Sequence, residues 1–586
     1  MNKQERDVLK ELTEEPYINQ RILAESCGYS LGIINRSLKQ LRKEEYIDET
    51  IKLTEKARQE FQEKAPQNAI ILAAGYGMRM VPINFDIPKG LLSINGEPLV
   101  ERIIKQLHEV GIKKIYVVVG FMKEQYEYLI DEYGVELVVN SEYATKNNLH
   151  SLKKVLEHLS NSYVIPCDIW CAKNPFHRKE LYSWYMVSNQ VNDESEVRVN
   201  RKMELVKVSP SSGGNAMIGI AYILEKEAKT VREKIKRMVE NTRFDESFWE
   251  AALYHKDRMI LMANVIRASD VVEINTYEQL RDLDSDSNHL KTEAITCIGE
   301  ALHVMPEEIV NIVVLKKGMT NRSFLFSCRD KKYIMRIPGE GTEQLINRSQ
   351  EAAVYDVLVN REICDKVIYM NPQNGYKITE YFENARVCDP NNVSDLERCM
   401  RKLREFHESA LKVKHEFDIF KQIMFYESLW EGKDSVYKDY KIIKKNIFSL
   451  KKYIDENIDR KVLSHIDAVP DNFLFFKDAE GKEEIRLIDW EYAGMQDPHI
   501  DIAMFCIYAL YNKEQIDNLI DIYFEGKCEQ KVRIKIYCYI AVCGLLWSNW
   551  CEYKRSLGIE FGEYSLRQYR YAKDYYRIVK KELEKS

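Results

Sequence analysis

The block at residues 463–494, LSHIDAVPDNFLFFKDAEGKEEIRLIDWEYAG, constrains this chain more than any other. Asp467 precedes Asn472 by five residues, the apolar run FLFF predicts a strand, and Asp489 stands on the next predicted strand, IRLID. Three oxygen-bearing side chains therefore converge from adjacent loops. That set suits chemistry on a polyphosphate: the Asp467 carboxylate accepts the proton of an attacking hydroxyl, while Asn472 and Asp489 offer hard oxygen ligands to Mg²⁺.

The order His465-x-Asp467, Asn472, Asp489 resembles the catalytic and metal loops of kinases. Upstream, NIVVLKKGMTNRSFLFSCRDKKYIMRIPG reads as three antiparallel strands, and helices dominate from about Asn384 onward, which is the lobe order of a kinase. The resemblance implies that Gly318, Thr320 and Asn321 cover the ATP phosphates, that Arg336 is the cation of the third strand, and that Glu351 on the following helix pairs with it. Within kinases the segment is similar to choline and aminoglycoside kinases. The choline branch is implied by DWEY, which sets Tyr492 three residues past Asp489, and by CGLLWSNWCEYK, which sets Trp547 and Trp550 on one helix face. A quaternary ammonium donates no hydrogen bonds, so π faces and a carboxylate recognise it. Phe561 and Tyr564 in EFGEYSLRQY resemble further members of the same cage, whereas Ile507 or Tyr508 stands where the family carries an acid.

A second constellation begins at residue 68. Short β-branched runs, NAIILAAG, KKIYVVVG, VELVVN and SYVIPCD, alternate with amphipathic stretches, the pattern of a parallel or mixed sheet covered by helices. The first run leads into LAAGYGMRMVPINFDIPKGLLSINGEPLVERII. Its glycines, Gly75 and Gly77, let backbone N–H groups approach a triphosphate. Arg79 and Lys89 add positive charge where a nucleotide attacked at its α-phosphate develops negative charge. This composite resembles the sugar-nucleotide and cytidylyltransferase superfamily, and within it the bacterial phosphocholine cytidylyltransferases, on VGFMKEQYEYL, NSEYATKNNLHSL and SYVIPCDIW across residues 68–285. The resemblance implies that Leu72, Ala73, Ala74, Gly75, Gly77, Lys89 and Asn148 bind CTP, and that Asp168 and Glu273 hold Mg²⁺. Phe248, Trp249 and Glu250 would then face the cationic head group. The chain departs from the family pattern at Asn275, where an Asp is usual, and at VRVNRKMELV, which has Met203 and no tryptophan.

These readings divide the 586 residues into a helical winged-helix domain (1–66), a Rossmann-like α/β nucleotidyltransferase domain (67–288) and a two-lobed kinase-like domain (289–586), a multidomain α/β and α+β chain. In the first domain, NQRILAESCGYSLGIINRSLKQLRKEEYI gives a helix, a turn at Gly28–Ser30 and a second helix that would offer Asn35, Arg36, Lys39 and Arg42 to DNA. Residues 1–65 carry 12 Lys+Arg against 13 Asp+Glu, a net charge of −1, so tight DNA binding is not expected and a regulatory or dimerisation role is the alternative. The whole chain is at −6, no run approaches ~18 uninterrupted apolar residues, and the amino terminus lacks an apolar signal core. A cytoplasmic enzyme with free thiols and no membrane insertion follows as the expectation, with its oligomeric state unknown from sequence. Its partners would be ATP, CTP and choline or phosphocholine, with ethanolamine, another amino alcohol or a sugar as alternative substrates. A transcription regulator with nucleotide-sensing domains is a rival that the complete catalytic sets disfavour.

Overall fold

The computed structural model describes the chain apart from residues 15–16, 86, 194, 210–211, 318–320, 340–344, 479, 558, 560 and 586. Contacts divide it into two compact units, Met1–Thr296 and Cys297–Ser586.

In the first unit, helices α1 (Lys3–Glu14), α2 (Gln20–Cys27), α3 (Leu31–Lys43) and α4 (Glu55–Glu63) precede a mixed sheet. Asn19 caps α2 by accepting from the N–H groups of Arg21 and Ile22. Gly28 ends it in the left-handed region at φ 67°, which a residue with a Cβ resists. The sheet is built from β1 (Asn68–Ala73), β2 (Ile115–Val119), β3 (Glu136–Val139), β4 (Ser162–Pro166), β6 (Trp184–Asn192), β7 (Val197–Val199), β8 (Glu204–Lys207), β9 (Gly214–Ile223), β10 (Tyr254–His255) and β11 (Arg258–Ile266). Its order is β3-β2-β1-β4-β9-β6-β11-β8-β7, with β10 paired to β11. The strands β1 to β4 run parallel, and β9 pairs antiparallel with both β4 and β6. Two further strands, β5 (Ile169–Cys171) and β12 (Val271–Glu273), form an antiparallel pair that sets Glu273 opposite Ile169, the residue after Asp168.

Strand alternation sends β1 side chains to two cores. Ile70 and Leu72 join one that holds Leu149, Tyr185 and Trp249, whereas Ala69, Ile71 and Ala73 join the other. That second core is continuous with the amino-terminal helices, since Val8, Leu9, Ile34, Leu38 and Leu41 belong to it and are at most 4% exposed. Polar contacts reinforce the join. Lys10 donates to Glu180 at 3.0 Å, Glu180 accepts from the Tyr163 hydroxyl of β4 at 2.9 Å, and the Tyr182 hydroxyl donates to Asp7 at 2.7 Å. Residues 1–66 are therefore packed into the α/β domain rather than tethered to it. We expect Leu9→Ala to cost roughly 2–5 kcal/mol and to lower the melting temperature of the α/β domain. An unchanged melting temperature for that domain would show that the amino-terminal helices unfold on their own.

The second unit opens with a five-stranded antiparallel sheet of β13 (Val310–Lys317), β14 (Asn321–Cys328), β15 (Lys331–Pro338), β16 (Val367–Met370) and β17 (Lys377–Glu380), ordered β13-β14-β15-β17-β16. Helical structure follows, interrupted by the hairpin of β18 (Phe473–Lys477) and β19 (Glu483–Leu487), whose register pairs Phe473 with Leu487. One helix holds no uninterrupted apolar run of ~18 residues yet is apolar on average. Residues Gln530–Ser556 reach a mean hydropathy of 1.2 over an 18-residue window, enough in length and composition to cross a membrane, yet 94% of that window is buried inside the protein. It is the central helix of the second unit's core, which also takes in much of His499–Tyr508 and Glu563–Leu583.

Candidate active sites

In the first unit, β1 carries the chain to Ala74. Leu72, Ala73 and Ala74 are buried, and the carbonyls of Leu72 and Ala74 accept from the N–H groups of Cys167 and Phe121, which holds the end of β1 in place. Gly75 is exposed with open space where a Cβ would project. Gly77 has φ 61°, and a Cβ there would lie 3.3 Å from Cβ of Lys89, so the turn and the lysine are fitted to one another.

Lys89 donates to the Asp168 carboxylate and, at 2.7 Å, to Oδ1 of Asn275. The second Asp168 oxygen is buried without a hydrogen-bond partner. Glu273 has its carboxyl raised, first by burial and then by the charge of Asp168. Two neighbouring carboxylates, one with an orphaned oxygen, fit Mg²⁺, which is held by one or two carboxylates with the remaining positions filled by phosphate and water. Among the described residues there is no cluster of three or more His, Cys, Asp or Glu side chains suited to a metal. Asn275, the departure from the family pattern, is thus a ligand of Lys89. Arg79 is exposed at the same site and counters the charge of Glu273.

Arg79, Lys89, Asp168, Glu273 and Asn275 line one cavity of about 1250 Å³. Asn148, first residue of the helix Asn148–Lys153, accepts from the backbone N–H of Trp249 at 2.8 Å and so fixes the segment 248–250 across that cavity. Phe248 is 57% exposed and lines it. Trp249 requires a correction: at 1% exposure it packs near Tyr185 in the core, because the short helix it begins at residue 249 points it inward, and it offers no face to a ligand. Glu250 lines the cavity, accepts from the Tyr185 hydroxyl at 3.1 Å, and keeps its other oxygen buried and unpaired. Burial pushes its carboxyl up to about 7. The half-buried aromatics that sequence reasoning missed are Phe244 and Tyr254, which line the cavity with Phe248, whereas Tyr185 is as buried as Trp249 and reaches the site through its bond to Glu250.

In the second unit, Arg336 on β15 holds Glu351 with two guanidinium nitrogens, one of them at 3.0 Å, and donates to the Gly375 carbonyl at 3.0 Å. Burial raises the Glu351 carboxyl, but Arg336, Lys377 and Arg348 outweigh it and hold it at about 2. Lys377, which sequence reasoning passed over, is buried, donates to the Tyr355 hydroxyl at 2.6 Å and is the strongest cationic influence on Asp489. Lys377 opens the strand KITE, three of whose four residues are polar, so nothing in the sequence signals its burial. Gly318 and Thr320 lie outside the described residues, as does the Asn321 side chain.

The Asn472 amide nitrogen donates to the Asp467 carbonyl at 2.8 Å and to its carboxylate at 3.1 Å, which leaves the amide oxygen for a cation. Burial, then the charge of Asp489, pushes the Asp467 carboxyl up to about 7. Asp489 sits at φ 66°, an unusual backbone region for an aspartate and one that recurs where function demands it. A buried hydrogen-bond set holds the loop: Asp501 accepts from the N–H groups of His465 (2.9 Å) and Ile466 (2.7 Å) and contacts the His407 ring at 2.9 Å.

The predicted aromatic residues come together. Ring centroids lie 6.0 Å apart for Tyr492 and Trp547, 5.3 Å for Trp547 and Trp550, and 5.2 Å for Trp550 and Phe561. Tyr564 lies 6.2 Å from Tyr508, and both feel the charge of Asp467, as does Tyr492. These three tyrosines are the members of the aromatic set within electrostatic reach of the candidate base. Tyr508, standing where an acid was expected, donates to Asp471 at 2.7 Å.

Three family models match the chain: Winged helix-turn-helix DNA-binding over residues 1–48, MobA-like NTP transferase domain over 69–185, and Choline/ethanolamine kinase over 312–552. A choline-phosphate cytidylyltransferase of Streptococcus pneumoniae is 32% identical over 221 residues, covering 37% of this chain and 96% of its own length. Protein LicA of Haemophilus influenzae is 29% identical over 264 residues, covering 43% of this chain and 96% of its own. Among solved structures, the choline kinase LicA from Streptococcus pneumoniae is 29% identical and matches 48% of this chain and 97% of its own, with a TM-score of 0.42.

Proposed function

We propose that this chain, which belongs to the choline-phosphate cytidylyltransferase family and also carries a choline/ethanolamine kinase domain, converts choline to CDP-choline in two steps. The observation that carries the choline assignment is the wall of Tyr492, Trp547, Trp550 and Phe561, of which Tyr492 feels the charge of Asp467. In the first step Asp467 accepts the proton of the choline hydroxyl as its oxygen attacks the γ-phosphorus of ATP, giving phosphocholine and ADP. Asn472 orients Asp467 through its amide, and Asp501 holds the loop backbone in place. In the second step a phosphate oxygen of phosphocholine attacks the α-phosphorus of CTP and pyrophosphate leaves. Lys89 and Arg79 face the charge that builds on the phosphates, while backbone N–H groups around Gly75 face the triphosphate. Mg²⁺, held by Asn472 and Asp489 in one site and by Asp168 and Glu273 in the other, would neutralise polyphosphate charge.

Incubating the purified protein with ATP, CTP, Mg²⁺ and a panel of choline, ethanolamine, other amino alcohols and sugars, then weighing the products, tests the reading. CDP-choline should form only when both triphosphates are present. Preferential turnover of a sugar would overturn the assignment. At the wall, Trp547→Ala should raise the KM for choline roughly tenfold and leave that for ATP nearly unchanged, because a desolvated cation gains about 1–2 kcal/mol on an indole face. Trp547→Phe should fall between. If Trp547 serves only as core, choline and ATP would instead be affected alike and the melting temperature would drop.

A further inference from the structure

The aromatic wall of the second unit contains a cation of its own. Lys554 lies one turn beyond Trp550 on the helix Gln530–Ser556 and is 4% exposed. Its ammonium stands 5.7 Å from the Trp550 ring centroid and 5.9 Å from that of Tyr553. The Lys554 carbonyl accepts from Ile559, in the turn that brings Phe561 against Trp550, so the residue is built into the wall. Lysine is rarely buried without a pairing group. Here no ion pair to the ammonium is formed among the described residues. The carboxylate it feels is Glu491, which already lies 3.3 Å from Arg348 and precedes Tyr492 of the same wall. The neighbouring Arg555 is exposed and also lies in the last helical turn, so a favourable interaction with the helix carboxyl end does not require a second, buried cation.

We propose that Lys554 is a specificity-determining residue of the acceptor site, an internal ammonium that occupies the π face of Trp550 and opposes a cationic head group there. This rests on the amino-alcohol reading given above. Like charges sharing a desolvated box repel one another, and the box offers little spare negative charge to offset both. The effect falls most heavily on a quaternary ammonium, which donates no hydrogen bonds and is held by π faces and any unshared counter-charge. A primary ammonium can recover part of the loss through hydrogen bonds to carboxylate or hydroxyl groups.

Steady-state phosphorylation by the full-length protein, with choline, ethanolamine and ATP varied in turn, tests the proposal in Lys554→Met and Lys554→Arg. Methionine keeps the unbranched stem and removes the charge. Lys554→Met should lower the KM for choline roughly tenfold, lower that for ethanolamine less, and leave the KM for ATP and the melting temperature near those of the unaltered protein. Lys554→Arg should keep the unaltered KM values. A choline KM that stays the same or rises in Lys554→Met, while ATP is unaffected, would overturn the inference and leave the functional reading standing. A lowered melting temperature with choline and ATP weakened together would overturn it in favour of a packing role. Failure of the unaltered protein to phosphorylate any amino alcohol would overturn both.

Discussion

Asp467→Asn should lower phosphorylation of choline by about 10²–10⁴-fold while cytidylyl transfer from supplied phosphocholine continues at its original rate. The substitution keeps the size of the side chain and one acceptor oxygen but removes the carboxylate that takes the proton. The geometry around it is well held, since Asn472 reaches the Asp467 carbonyl as well as its carboxylate and Asp501 secures the two residues before it. A folded variant therefore remains the expected product, and the loss falls on the chemical step. Separate assays, one with choline and ATP and one with phosphocholine and CTP, measure the two rates. Loss of both in a folded protein would refute two independent sites.

Lys89→Ala gives the reciprocal result, a fall of about 10²–10³-fold in cytidylyl transfer with kinase turnover preserved. Two effects combine. Charge that faces the polyphosphate disappears, and Asp168 and Asn275 lose the donor that joins them. Asp168 and Glu273 are then left as neighbouring carboxylates with less positive charge between them, which raises the cost of keeping both ionised. Lys89→Arg retains the charge but not the compact ammonium that reaches both partners, so partial activity is expected. Equal loss of kinase turnover in Lys89→Ala would refute its assignment to this site.

The two candidate residue sets were legible in the sequence because their spacing is short. His465, Asp467 and Asn472 lie on one loop, and Asp489 follows a hairpin whose strands are evident from FLFF and IRLI. Gly75, Gly77 and Lys89 are likewise close in sequence, and β1 announces itself by apolar content. The pairing of Arg336 with Glu351 was also within reach, since a strand and its following helix place them fifteen residues apart. What sequence could not supply was the direction a side chain takes when several folds of packing compete. Trp249 and Phe248 are adjacent and both aromatic, yet one is core and the other lines the cavity. Nothing local distinguishes Lys377, a single lysine in a strand, from a solvated surface residue. Only the packing of β15 and β17 against the helix Arg348–Leu358 brings it to Tyr355 and Asp365. The amino-terminal helices posed the same difficulty on a larger scale. Their amphipathic pattern reveals an apolar face without revealing what covers it.

That covered face has a consequence for inheritance. Glu180 is fully buried, and its two oxygens are divided between Lys10 of the amino-terminal helix and Tyr163 on the strand that leads to Asp168. Removing one partner of a buried ion pair costs about 3–5 kcal/mol, because the charge left behind stays buried. A descendant that dropped the first 66 residues would have to replace Glu180 at the same time or bring in another cation. Lys10 and Glu180 are therefore expected to be gained and lost as one character, and the amino-terminal module to travel with its transferase rather than be exchanged among unrelated enzymes.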